Sequence, residues 1–110
     1  MKVPCQDIVV DVEDIIYIEL VYVKGNTKIV VHTIHDKHFC KISASLDAIE
    51  ILFSSFGFVK SDSCNLVNLN KINYIEKTAY SIQVFFHGSS KTASCSRSGY
   101  AKVKSMLPLS

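Results

Sequence analysis

Between Asp14 and Val23 the chain reads Asp-Ile-Ile-Tyr-Ile-Glu-Leu-Val-Tyr-Val, a run dominated by β-branched and aromatic residues. Such side chains pack well on a pleated backbone and lose rotamer freedom in a helix, so one or two strands are expected here. Lys24-Gly25-Asn26 follows as a turn signal and leads into a second strand, Thr27 to Thr33, which makes a hairpin. A second break at His35-Asp36-Lys37 precedes the short run His38 to Ile42. Three strands at hairpin spacing commit the first third of the chain to antiparallel sheet.

The period then changes. From Ser45 the apolar residues Leu46, Ile49, Leu52 and Phe53 recur at three and four, behind a serine able to accept from the free amides of a first turn. A short amphipathic helix is predicted, ended by Ser54-Ser55-Phe56-Gly57. Strand signals resume at Phe58-Val59-Lys60, at Leu66 to Ile75 and at Ser81 to Phe86, with His87-Gly88-Ser89-Ser90 as a turn and Lys91 to Cys95 as a last strand. Beyond Arg97, the spacing of Tyr100, Val103 and Leu107 predicts a second short helix closing the domain before Pro108. The class is mainly β, with two short helices. At 110 residues and 48% hydrophobic, the chain is expected to be one domain, 1–110, able to bury a core without staples. No apolar run nears the roughly 18 residues of a membrane span, and Met1 to Val12 carries Lys2, Asp7 and Asp11 where a signal peptide would be apolar. A soluble cytoplasmic protein with no membrane partner is the expectation.

Enzymatic chemistry finds little support. Cys5, Cys40, Cys64 and Cys95 form no C-x-x-C pair and are expected to be free thiols. His32, His35, Asp36, His38 and Cys40 crowd into nine residues, yet on extended backbone His32 and His35 point to opposite faces, so no metal site is expected and the histidines are read as exposed residues flanking a turn. Neither a nucleophile elbow nor a glycine-rich phosphate loop occurs, and no cofactor is expected.

The net charge of +2 does not announce a nucleic-acid binder, but its distribution is uneven. Asp7, Asp11, Glu13, Asp14 and Glu19 crowd the start, whereas after Glu76 the chain holds Lys77, Lys91, Arg97, Lys102 and Lys104 and no acid. That tail can present an electropositive edge to phosphates; the alternative is a solvated lysine face.

Four patches in order carry a resemblance. Asp14-Ile15-Ile16-Tyr17-Ile18-Glu19, then Ser45-Leu46 before the helix, Phe58-Val59-Lys60 with Leu66-Val67-Asn68-Leu69 after it, and finally Ser96-Arg97-Ser98 resemble the LytTR family of DNA-binding domains from about Val9 to Leu107. The family reads D-I-x-Y-I-E, then F-x-R-x-H-x-S-x-x-V-N, then S-R before a terminal helix. This chain departs at Asp62, where the family usually has His, and at Cys64, where it usually has Ser.

The resemblance implies an elongated fold of about ten strands in three small antiparallel sheets, presenting loops instead of a recognition helix to successive major grooves of double-stranded DNA. Neither predicted helix is long and basic in the manner of a helix-turn-helix, which agrees with reading by loops. It implies contacts by Lys24 and Asn26 in the first hairpin turn, by Lys60, Asp62 and Ser63 before Leu66, and by Ser96 and Arg97. Arg97, the single arginine, can fork onto guanine or phosphate. Asp62 either repels phosphates or accepts from a cytosine amino group, while Asn68 is read as structural. The implied role is a bacterial transcription regulator or the output domain of a response regulator, binding repeated sites as a homodimer. A β-rich protein-interaction module is the alternative, and a small-molecule-binding β-domain the third.

Overall fold

The computed structural model describes residues 1–107, and Pro108, where the second helix was expected to have stopped, lies outside them. Ten strands form three antiparallel sheets: β1 (Lys2–Pro4), β2 (Val9–Asp11), β3 (Tyr17–Val23), β4 (Asn26–His32), β5 (Lys37–Phe39), β6 (Phe58–Asp62), β7 (Asn65–Asn68), β8 (Ile72–Lys77), β9 (Ile82–Phe86) and β10 (Thr92–Ser94). The helices are α1 (Leu46–Phe53) and α2 (Arg97–Met106). A central sheet runs β5-β4-β3-β7-β6, a second runs β10-β9-β8, and β1-β2 form a separate ribbon. The extents, 36 × 28 × 26 Å, make the molecule longest in one direction. Among the described residues no helix is long and apolar enough to cross a membrane.

Away from the exposed tip of the β3-β4 hairpin, the central sheet is buried on both faces, which explains the unbroken apolar runs that specify it. Successive side chains on a strand point to opposite faces. Ile18, Leu66 and Phe58 therefore join one hydrophobic cluster with α1 and the β1-β2 ribbon, while Tyr17, Val67 and Val59 join another with β8, β9, β10 and α2. In α1 the buried residues are Leu46, Ile49 and Phe53, whereas Leu52 is exposed. Its start is capped as expected, Ser45 Oγ accepting from the Ala48 amide at 3.1 Å.

Two parts of the expected layout change. The run Leu66 to Ile75 is two strands in different sheets, because Asn68 turns the chain: its Oδ1 accepts from the Asn70 amide at 3.0 Å, and Leu69–Lys71 form a 3-10 turn. The β1-β2 ribbon was not foreseen, since its strands are only three residues each.

Candidate nucleic-acid interface

The topology sends four turns to one end of the molecule. β7 descends from the turn at Ser63-Cys64 while its antiparallel neighbour β3 rises beside it, Glu19 opposite Asn65. Because β3 continues to Val23, the Lys24-Gly25 tip stands roughly 15 Å beyond that level at about 3.4 Å per residue. Lys24 and Gly25 both take positive φ, 51° and 82°, the two-residue hairpin turn whose twist suits the strands. β10 ends against the same β6-β7 turn, where Ser61 Oγ donates to Ser94 O at 2.8 Å and the Ser96 amide donates to Ser61 O at 2.8 Å. The β8-β9 turn, Thr78 to Ser81, arrives beside it, since the Cys95 amide donates to Ile82 O at 3.0 Å.

Within this end the expected residues divide into two kinds. Lys24, Asn26, Ser63 and Arg97 are exposed. Among the described residues neither Lys24 nor Arg97 takes part in an ion pair. Lys60, Asp62 and Ser96 are half-buried and engaged. Lys60 Nζ lies 2.7 Å from Asp47 Oδ1, a hydrogen bond that raises the lysine pKa and lowers that of the aspartate. The Lys60 amide donates to Glu50 Oε2 at 2.8 Å, and Lys102 Nζ reaches the same oxygen at 3.1 Å.

Asp62 holds the turn together. Its Oδ1 accepts from the Cys64 amide and from Asn65 Nδ2, each at 2.9 Å, and Oδ2 accepts from Ser94 Oγ. Ser96 caps α2, its Oγ accepting from the Gly99 amide at 2.9 Å. Gly99 explains why the helix sits so close to β6: a Cβ there would lie 1.7 Å from Ser61 O. Arg97 is thereby fixed at the start of a helix whose first turn is pressed on the β6 bulge at Ser61.

Two grooves flank this corner. One, of about 620 Å³, is lined by Asp47, Lys60, Asp62, Ser63 and Lys102; the other, of about 600 Å³, lies between Arg97 and the β8-β9 turn with Lys77, Thr78 and Tyr80. Tyr80 is 98% exposed, on a turn braced by Thr78 Oγ1 accepting from the Tyr80 and Ser81 amides at 3.2 and 3.1 Å. Sequence reading does not single out this turn as a candidate. Its signal was there in the strand break Thr78-Ala79-Tyr80, but only the topology brings it next to Arg97. A smaller cavity of about 360 Å³, lined by Ile8, Val9, Ile34 and His35 among others, sits at the opposite end of β4.

The histidine-rich stretch is not a row of exposed side chains. His32 is buried, with Nε2 2.8 Å from Glu19 Oε1 and Nδ1 3.4 Å from Lys91 Nζ, because its strand position faces Tyr17 in the second cluster. His38 Nδ1 lies 2.8 Å from Asp7 Oδ2, while His35 is exposed.

Comparison with known proteins adds two findings. The family described as the LytTr DNA-binding domain matches residues 6–108. Among solved structures the fold is similar to the LytTr DNA-binding domain of a methyl-accepting/DNA response regulator from Bacillus cereus, with a TM-score of 0.74 at 19% identity, over 99% of this chain and 96% of that one. A search of curated proteins finds no match.

Proposed function

Since the chain belongs to the LytTR family of DNA-binding domains, we propose that it binds duplex DNA through the turns gathered at one end of its sheets. It acts as the output domain of a bacterial response regulator or as a freestanding cytoplasmic transcription regulator. The observation that carries this reading is the convergence of the Lys24-Gly25, Ser63-Cys64 and Ser96-Arg97 turns on one end, with Lys24 and Arg97 exposed and outside every ion pair of the described residues.

The roles follow from chemistry. Arg97 grips guanine or a phosphate through its planar fork, and Lys24 with Asn26 meets the neighbouring stretch of duplex. Ser63 donates to phosphate or a base edge. Asp62 acts indirectly, by fixing the turn that presents Ser63, and Lys60 keeps a screened charge behind it. The domain binds repeated sites as a homodimer, where linking two modest contacts multiplies affinity.

The test is binding to random duplex across a salt series, followed by selection of bound sequences from a random pool. Affinity falling with log salt at a slope of about 0.9 per phosphate contact, with an enriched motif, supports sequence-specific DNA binding. No detectable binding to any duplex at low salt overturns it in favour of a protein-interaction module.

A further inference from the structure

Cys5 and Cys40 face each other as an isolated antiparallel bridge between the β1-β2 ribbon and the end of β5. The hydrogen bonds around them fix the kind of pair. Gln6 N donates to Phe39 O and Lys41 N to Pro4 O, both at 2.9 Å, whereas the amides of Cys5 and Cys40 donate elsewhere, to Ile8 O and Ile29 O. The two cysteines therefore occupy a non-hydrogen-bonded position, where opposed α-carbons stand about 4.5 Å apart and side chains approach most closely. That separation lies within the roughly 4.4–6.8 Å range of disulfides. Both side chains belong to the same hydrophobic cluster. Of the other two cysteines, Cys64 is half-exposed on the β6-β7 turn and Cys95 belongs to the second cluster.

We propose that Cys5 and Cys40 are a site of reversible oxidation, closing a disulfide that ties the N-terminal ribbon to the edge of the central sheet. This rests on the strand pairing and not on the DNA-binding reading.

The two thiols have different parts. The Ile42 amide donates to Cys40 Sγ at 3.4 Å. Cys5 Sγ donates to Val3 O, and burial first, then the neighbouring Cys40, pushes the Cys5 thiol up to about 11. Cys40, 9% exposed against 3% for Cys5, is the sulfur that meets the oxidant, and Cys5 the one that resolves it. With a hydroperoxide, the Cys40 thiolate attacks the terminal oxygen, the O–O bond breaks, and the alcohol or water leaves as Cys40 becomes a sulfenic acid. Cys5 then attacks the Cys40 sulfur, the S–O bond breaks, and hydroxide leaves with the Cys5 proton as water. In sum, two thiols and one hydroperoxide give one disulfide, one water and one alcohol or second water. A thiol reductant reverses it.

The experiment treats the reduced full chain with hydrogen peroxide and reads intact mass and unreduced peptide maps. The expected result is a loss of two hydrogen atoms, a peptide joining Cys5 to Cys40, and restoration by dithiothreitol. Cys64→Ser and Cys95→Ser leave the joined peptide intact, and Cys40→Ser abolishes it. A wild-type protein that stays folded and is oxidised only at Cys64, or forms no Cys5–Cys40 peptide, overturns the proposal.

Discussion

His32 and Tyr17 stand opposite each other on adjacent strands with their rings stacked, 4.1 Å between centroids and 9° between planes. Tyr17 in turn stacks on Phe86 at 5.4 Å, so the imidazole is the outer leaf of a three-ring stack joining the two larger sheets. Burial lowers the His32 pKa, with Lys91 and Lys37 acting in the same direction, against the opposing hydrogen bond and charge of Glu19. A histidine whose folded pKa lies below its unfolded value of about 6.5 takes up protons more readily when unfolded. Stability is therefore full above about pH 6.5 and lost as pH falls from there toward the folded pKa. Thermal melts across this window should show the midpoint dropping on acidification, and His32→Gln should flatten that slope. An unchanged slope in the variant would assign the acid sensitivity to other groups.

Gly99→Ala should destabilise the domain by roughly 3 kcal/mol, because the added methyl meets the Ser61 carbonyl and α2 must move off β6. Denaturant titration reads this directly. The displaced helix start should also weaken duplex binding beyond what the loss of stability explains, since Arg97 moves with it.

Removing the Asp62 carboxylate leaves the Cys64 amide and the Ser94 hydroxyl without their acceptor and Asn65 Nδ2 with Ser94 Oγ alone. Asp62→Ala is expected to cost about 1–3 kcal/mol, and Asp62→Asn less, because one acceptor oxygen remains. Chemical denaturation of both variants checks the order.

Arg97→Ala and Tyr80→Ala should leave the melting temperature within error, both side chains being exposed. Arg97→Ala should cost about 1–3 kcal/mol of duplex affinity. Tyr80→Ala is expected to weaken binding by a smaller amount, with Lys24→Ala reducing the salt slope by about one contact. Binding isotherms at two salt concentrations separate these effects, and full affinity in all three variants would remove this end of the molecule from the interface.

The sequence revealed the fold where physical signals are local. The β3-β4 hairpin is legible because Lys24-Gly25 breaks a long β-branched run, and α1 because the apolar period changes behind Ser45. The division at Asn68 was hidden, since an asparagine that ends a strand by accepting from its own chain looks like one that continues it. Short strands such as β1 and β2 carry too few residues to show alternation. For the candidate site, the order of patches pointed to Arg97, and the first hairpin turn to Lys24. Which charges are engaged was not legible, because Asp47 lies 13 residues from Lys60 and Ser94 lies 32 from Asp62. Tyr80 escaped notice for the same reason: only the pairing of β8, β9 and β10 sets it beside Arg97.

The exposed tips at Lys24-Gly25, Ser63 and Thr78–Ser81 are closed by backbone geometry and short polar side chains, and none of their residues belongs to either hydrophobic cluster. What the tips display and how firmly the body melts are therefore separately heritable. With the tips reading the duplex as proposed, a lineage built on this scaffold would diverge in the targets of its members by exchanging a few tip residues, with no compensating change in the interior. Tips grafted from one such domain to another should carry their preference with them, while the recipient keeps its own melting temperature.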